Sequence, residues 1–305
     1  MKQFRRLMTL SLLALLTAII VVACHGDGKS NADLTIKVGS KDFTEQFILG
    51  QMYAIILEEQ GFKVERKLNL GSTPVLQAGL KSGEIDLYPE YTGTALVAVL
   101  KRPPSSDGKQ VFDRVAKAYK EKYNLVWLEP APMNNTTALA MTKKDAEKLG
   151  IKNISDMIAK ADKLILLGPP AFKTREDALP GLKRVYGDFE LKEFKPIDSG
   201  LRYKGLMNGE GNVVVAFGTD GEISAFNLVV LEDDKKLFPI YQVAPVVRQE
   251  TLEKYPSIRD ALNAIAPLLT DEVMQRLNYE VSGKQREPAD VAREFLMQAG
   301  MLTNN

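Results

Sequence analysis

The sequence predicts two α/β units followed by a helical C-terminal segment, and three observations support this. Strand-like and helix-like runs alternate from residue 34 onward. A proline-marked extended segment, residues 129–135 (EPAPMNN), interrupts the alternation, which then begins again. A second extended run, residues 241–247 (YQVAPVV), gives way to helices only. This order argues for open α/β sheets rather than a bundle or a sandwich.

Residues 34–38 (LTIKV) alternate as a strand, and GSKDFTEQ follows as a loop. Thr44 is placed to cap a helix that runs to Gln60 and stops at Gly61. FKVERKLNL reads as a second strand, GSTP as a turn, VLQAGLKSG as a short helix, EIDLY as a third strand and TALVAVL as a helix. After the loop KRPPSSDGK, a helix is predicted over 111–123, and LVWLEPAP is a strand entering the first joint.

The second unit reads as ALAM, a helix near Asp145, LILLG, a helix after Arg175, FELKEF, a helix over 199–207 and NVVVAFG. SIRDALNAIAPLL, DEVMQRLNYEV and PADVAREFLMQAG are the closing helices, the last with Pro288 at its start. The two proline-bearing joints suit a pair of crossovers between lobes, with the closing helices returning to the first lobe. The implied division is 33–134 with 244–305 for one lobe and 135–243 for the other.

At 305 residues, with 45% hydrophobic and 26% charged residues, the composition is that of an ordinary globular protein. Forty basic side chains against 39 acidic ones leave a net charge of +1 and no basic stripe, which argues against nucleic acid as a partner. The N-terminus differs from the rest. Lys2, Arg5 and Arg6 precede an uncharged run over 7–23, the pattern of an export signal over residues 1–23. The run ends in VVAC and turns polar at once. Val-Val-Ala-Cys looks like a bacterial lipobox, in which Cys24, the only cysteine, becomes the lipidated first residue of the mature chain. A membrane anchor left uncleaved or a plain secretory signal is the alternative, because the run approaches the ~18–20 residues that span a bilayer. Residues 24–32 then form a tether.

Catalytic equipment is sparse. The single histidine, His25, lies in the tether, and no serine-hydrolase elbow, zinc-protease, phosphate-loop or EF-hand pattern appears. Carboxylates are plentiful, but no spacing singles out a glycosidase pair. An exported, tethered, two-lobed chain of this kind suggests a binding module. A carboxylate-dependent surface hydrolase and a ligand-free adhesive protein are the weaker readings.

VGSKDFTEQFILGQM together with DLYPEYTGTA resembles the substrate-binding lipoproteins of ABC importers for quaternary ammonium osmoprotectants, the ProX/OpuC type. NNTTALAM, TREDALPGLKRVYG, AFGTDG, LEDDKKLFPIYQVAPVV and the closing LNYEV…VAREFLMQAGML extend the resemblance over nearly all of the mature chain. TREDALP and EPAPMNN lean toward its YehZ/OsmF-like branch. The resemblance implies the type II periplasmic-binding-protein fold, no bond-making chemistry, no cofactor and no metal. The implied ligand is glycine betaine, choline, carnitine or a similar compound, and a binding protein for a different small solute is the runner-up. The implied partners are an ABC permease and, through the lipid anchor, a membrane facing the periplasm or exterior, with the chain a monomer.

A trimethylammonium head has charge but no N–H, so aromatic faces recognise it, at ~0.5–2 kcal/mol per ring. Three or four rings approach the roughly −8 kcal/mol of a micromolar site before ordering costs. By the resemblance, Tyr91, Phe217 and Tyr241 face the cation, and Lys41 with Arg175 holds a carboxylate tail. Thr94 adds a polar contact, and Asn135 belongs to the site as a hydrogen-bonder or, with Asn134, as a hinge residue. Many members read NNTYAL where this chain reads NNTTAL, so Thr137 stands where one aromatic wall is expected. The ordinary alternatives are core packing for Phe217, a solvated Lys41, and pairing of Arg175 with Glu176 or Asp177. Tyr88 and Trp127 are expected in the core, and Glu90 is expected to fix its loop through a hydrogen bond.

Overall fold

The computed structural model describes residues 35–174, 178–198 and 201–303. The expected export signal, Cys24 and its tether lie outside these residues, and so does Arg175. No helix among the described residues is long and apolar enough to cross a membrane.

The strands are β1 (Thr35–Gly39), β2 (Lys63–Lys67), β3 (Leu87–Tyr91), β4 (Leu125–Trp127), β5 (Thr137–Thr142), β6 (Ile165–Gly168), β7 (Glu193–Pro196), β8 (Val213–Phe217), β9 (Leu228–Val230) and β10 (Val243–Arg248). They form two five-stranded sheets, in the orders β2-β1-β3-β10-β4 and β7-β6-β8-β5-β9. In the first sheet β1 pairs in parallel with β2 and β3, and in the second β6 pairs in parallel with β7 and β8. One strand in each sheet follows directly after a joint, β5 in one and β10 in the other, and both run antiparallel to their neighbours. The chain enters these strands from the side where the parallel strands end, so it must run against them. The register records this: Val243, first in β10, pairs with Tyr91, last in β3, and Thr137, first in β5, pairs with Phe217, last in β8.

The joints lie side by side. Asn135 donates its N–H to the Tyr241 carbonyl at 3.2 Å, and Asn134 Oδ1 accepts from Tyr241 N–H at 2.8 Å. Most of YQVAPVV is strand β10 rather than free crossover, because residues 243–247 are all buried in the first sheet.

The helices of the first unit are α1 (Thr44–Glu59), α2 (Thr73–Ser82) and α3 (Gly108–Tyr123). Thr44 is the first residue of α1 rather than its cap; Phe43 occupies the cap position in extended conformation, with no side-chain hydrogen bond there. Helix α1 is buried on nearly every side, as expected of a helix apolar all round. TALVAVL follows from a turn of helix, Thr92–Thr94, whose last residue it shares, and is a π-helix over Ala95–Val99. The second unit contains α4 (Lys143–Leu149), α5 (Ile154–Ile158), α6 (Leu179–Tyr186), α7 (Arg202–Met207) and α8 (Gly221–Ala225). FELKEF yields only the short edge strand β7.

After β10 come α9 (Gln249–Lys254), α10 (Ser257–Asn263), α11 (Asp271–Ser282) and α12 (Pro288–Gln298). Helices α10, α11 and α12 pack on α1, and a core joins Leu49, Met52, Leu262, Met274 and Phe295. Helix α11 also touches α8 of the second unit. A Cβ at Gly221 would fall 2.5 Å from the backbone nitrogen of Tyr279, so only glycine allows α8 to approach α11 this closely.

Candidate functional site

Strands β1 and β3 of the first sheet and β8 of the second end on one cleft of about 790 Å³, where open α/β folds collect ligands. Of the residues expected to bind, Lys41, Tyr91, Thr94, Asn135, Thr137, Phe217 and Tyr241 line it.

The wall from the first sheet is a saturated polar network. Lys41, on the loop after β1, places its ammonium 2.5 Å from Glu90 Oε1, and the two side chains are 6% and 0% exposed. The Lys41 ammonium also stands 5.1 Å from the centre of the Tyr91 ring. Glu90 further accepts from the Tyr88 hydroxyl at 2.7 Å and the Tyr91 N–H at 2.6 Å. Lys41, expected to meet a ligand carboxylate, therefore spends at least part of its charge on a buried one.

Glu45, in the first turn of α1, gathers the second set of donors. Its Oε1 accepts from the Tyr91 hydroxyl at 2.6 Å and from Asn135 Nδ2 at 2.9 Å, and its Oε2 from Asn278 Nδ2 at 2.8 Å. Burial raises the Glu45 carboxyl above its usual range, while hydrogen bonds from Thr219, Tyr91, Asn278 and Asn135 pull it down again. Burial, followed by the Glu45 charge, pushes the Tyr91 phenol far above its ordinary value. The Tyr91 ring is only 4% exposed, and Phe43 stacks beside it with ring centres 6.2 Å apart.

Gly93 explains part of the YPEYTGT motif. A Cβ there would lie 2.6 Å from the Ile240 carbonyl and 2.8 Å from the Tyr241 ring. The missing side chain lets the second joint lie on the end of β3, bringing Tyr241 beside Tyr91.

The wall from the second sheet is more open. Phe217 is 40% exposed, with Thr137 its direct partner across the strands. Arg202, on α7, lies over two rings, 4.7 Å from the centre of Tyr203 and 5.7 Å from that of Phe217. Its guanidinium is 2.5 Å from Asp220, which also accepts from the Tyr203 hydroxyl at 2.5 Å and the Phe217 N–H at 2.8 Å. Burial opposes the Arg202 charge, but Asp220 more than offsets it and raises the guanidinium further. Glu222 also lines the cleft, and burial raises its carboxyl.

The walls meet at α11, where Asn278 Nδ2 donates to the Thr219 carbonyl at 2.8 Å and Gln275 Nε2 to that of Gly218 at 2.7 Å. No group of three or more His, Cys, Asp or Glu side chains among the described residues is arranged to hold a metal ion.

Sequence reasoning missed Phe43, Glu45, Arg202, Asp220, Glu222 and Asn278. Phe43 and Glu45 stand inside GSKDFTEQ, next to the selected Lys41; a phenylalanine just before an acidic first helical turn is the available signal. Arg202 and Asn278 carry no local signal, because tertiary packing alone brings α7 and α11 to the cleft.

A family model described as the substrate-binding domain of an ABC-type glycine betaine transport system matches residues 34–298. A glycine-betaine-binding protein of Pseudomonas aeruginosa is 36% identical over 296 residues, 93% of this chain and 94% of that one. An ergothioneine transport permease/binding protein of Helicobacter pylori is 36% identical over 265 residues, 87% of this chain, which spans only 47% of that longer protein. Among solved structures, a glycine betaine/carnitine/choline ABC transporter protein superposes with a TM-score of 0.84 at 31% identity, covering 87% of this chain and 99% of the other. Apo YehZ from Escherichia coli gives 0.78 at 32% identity, covering 88% and 99%. Two α/β lobes around a cleft are the type II periplasmic-binding-protein fold, and proteins of this kind bind substrate for transport rather than transform it. The chain belongs to the family of substrate-binding domains of ABC-type glycine betaine transport systems.

Proposed function

We propose that this chain captures a small quaternary ammonium solute outside the cytoplasm and hands it to an ABC permease. The observation that carries this reading is the set of ring faces around the cleft. Phe43 and Phe217 are 38% and 40% exposed, and Tyr241 is half-buried between them and the joints. Exposed phenylalanine is costly in water unless something covers it, and a methylated ammonium is covered well by such faces.

In this reading Phe43, Phe217 and Tyr241 enclose the cation, and Phe43 supplies the ring that Thr137 does not. Tyr91 and Thr94 form the floor, and Asn135 and Thr137 contribute polar edges. Lys41 and Arg175 meet an anionic tail where the solute has one. Closure of residues 135–243 onto 33–134 with 244–305 traps the solute, with α11 as the contact between the lobes. Residues 1–23 direct export, lipidated Cys24 anchors the chain to a membrane, and the chain acts as a monomer.

Calorimetry on the protein without residues 1–32 tests this with glycine betaine, choline, carnitine and ergothioneine, the last because of the H. pylori relative. Saturable heat with at least one quaternary ammonium compound is expected. No heat with any of them overturns the assignment of ligand class.

A further inference from the structure

Helix α11 buries Met274 and Leu277 in the core it shares with α1. Beside these runs a second stripe, Asp271, Gln275, Asn278 and Ser282, whose spacing of four, three and four residues puts it on one face of the helix. This stripe is polar although α11 is packed on two elements, and three of its members hold backbone or side chains at the cleft. Asp271 Oδ1 accepts from the Asn134 N–H of the first joint at 2.6 Å. Gln275 Nε2 donates to the Gly218 carbonyl at 2.7 Å, and Asn278 Nδ2 to the Thr219 carbonyl at 2.8 Å.

Gly218 and Thr219 directly follow Phe217, the open ring of the second wall. The Gly218 N–H donates to the Thr136 carbonyl at 2.9 Å, so the joint and α11 hold the same peptide groups. Asn278 also donates to Glu45, which accepts from the Tyr91 hydroxyl. A continuous set of contacts therefore runs from Phe217 through α11 to Tyr91. Within it Asn278 lines the cleft, whereas the half-buried Gln275 does not.

We infer that Gln275 is a positioning residue for ligand capture: its hydrogen bond to the Gly218 carbonyl sets the separation of the Phe217 and Tyr91 walls before a ligand arrives. Without that bond the unit carrying Phe217 samples a wider range of positions, and the ligand itself has to gather the rings. Apparent affinity falls with the fraction of unliganded molecules that already hold the competent arrangement. One neutral hydrogen bond shifts such a fraction by about fivefold. The affinity part of this inference rests on the quaternary ammonium reading above, and the arrangement of the unliganded protein does not.

Spin labels provide the test, because residues 33–305 contain no cysteine. In the protein without residues 1–32, Lys117→Cys and Lys148→Cys place one label on an exposed site of each unit. Pulsed electron resonance is expected to give a narrow distance distribution for this unliganded protein. Gln275→Met, of similar length but without a donor, is expected to broaden it, and saturating glycine betaine or choline to narrow it again. By calorimetry Gln275→Met weakens both ligands about fivefold, as does Gln275→Glu, which also lacks the donor. Gln275→Lys, a donor of similar reach, recovers most of the affinity and the narrow distribution. Melting temperatures drop by no more than about 4 °C, which checks that the variants fold.

Unchanged width and affinity in Gln275→Met overturn the inference. So does a loss that Gln275→Lys fails to recover, or a loss of affinity without broadening. If the wild-type protein binds no member of the ligand panel, the quaternary ammonium reading falls, and the width of the unliganded distribution still decides the role of Gln275.

Discussion

The two walls of the cleft are built alike and finished differently. Each presents an aromatic residue at the end of a parallel strand, paired with the first residue of the antiparallel strand that follows a joint: Tyr91 with Val243, Phe217 with Thr137. Yet Tyr91 is 4% exposed and Phe217 is 40% exposed. Around Tyr91 the surroundings are used up. Lys41 sits near its ring, Phe43 stacks beside it, and Glu45 takes its hydroxyl. Phe217 has no hydroxyl to be held by, and its ring lines the cleft with Arg202 over it. The lesson is that strand-end position brings a ring to the cleft, while the neighbours of the ring decide how much of it a ligand can reach.

The comparison breaks most visibly at Lys41. Lys41→Met leaves Glu90 buried without its ammonium, and loss of one partner of a buried pair costs about 3–5 kcal/mol. Denaturant unfolding measures this; a loss below about 1 kcal/mol would show that Glu90 does not depend on Lys41.

Tyr91→Phe removes one donor from Glu45 and is expected to destabilise by about 1–3 kcal/mol, while affinity for the best ligand of the panel changes little. The sign of its pH dependence follows from Glu45. Because burial raises that carboxyl, its contribution to stability is full below the ordinary carboxylate value and is lost as pH rises through the raised one. The phenol stabilises the charged form, so the deficit of Tyr91→Phe is expected to grow as pH rises through that window. Unchanged stability with a large loss of affinity would instead make the hydroxyl a ligand contact.

Phe43→Leu gives the smallest effect, about 0.5–1 kcal/mol of binding free energy, because it keeps bulk and removes only the π face. Phe43→Tyr is expected to retain affinity. Calorimetry with the same ligand decides, and equal affinity of the leucine and tyrosine variants would show that Phe43 contributes shape alone.

Much of this architecture is legible along the chain. The alternation of LTIKV, helix, FKVERKLNL and EIDLY is a local pattern of apolar periodicity, and its restart after EPAPMNN marks the second sheet. The site was legible where it lies in short loops at strand ends, as in GSKDF and YPEYTGT. Element edges were less so. Thr44 looks like a cap in sequence but is the first residue of α1, since Phe43 already holds the extended cap position. Asn278 and Glu45 stand 233 residues apart, and no local pattern links them. Arg202 reads as one more basic residue on a short helix until the fold sets it against Asp220 and Phe217.

The sequence by itself determined the kind of molecule: two α/β lobes, aromatic residues at strand ends and no histidine among residues 26–305. Periodicity, glycine placement and residue chemistry are local properties, and they survive being read along a line. Only the tertiary structure decided which charges are spent and which rings are open. Electrostatic and aromatic contacts act over a few ångströms in space, so the pairing of Lys41 with Glu90, the enclosure of Tyr91 and the exposure of Phe217 arise where separate elements meet.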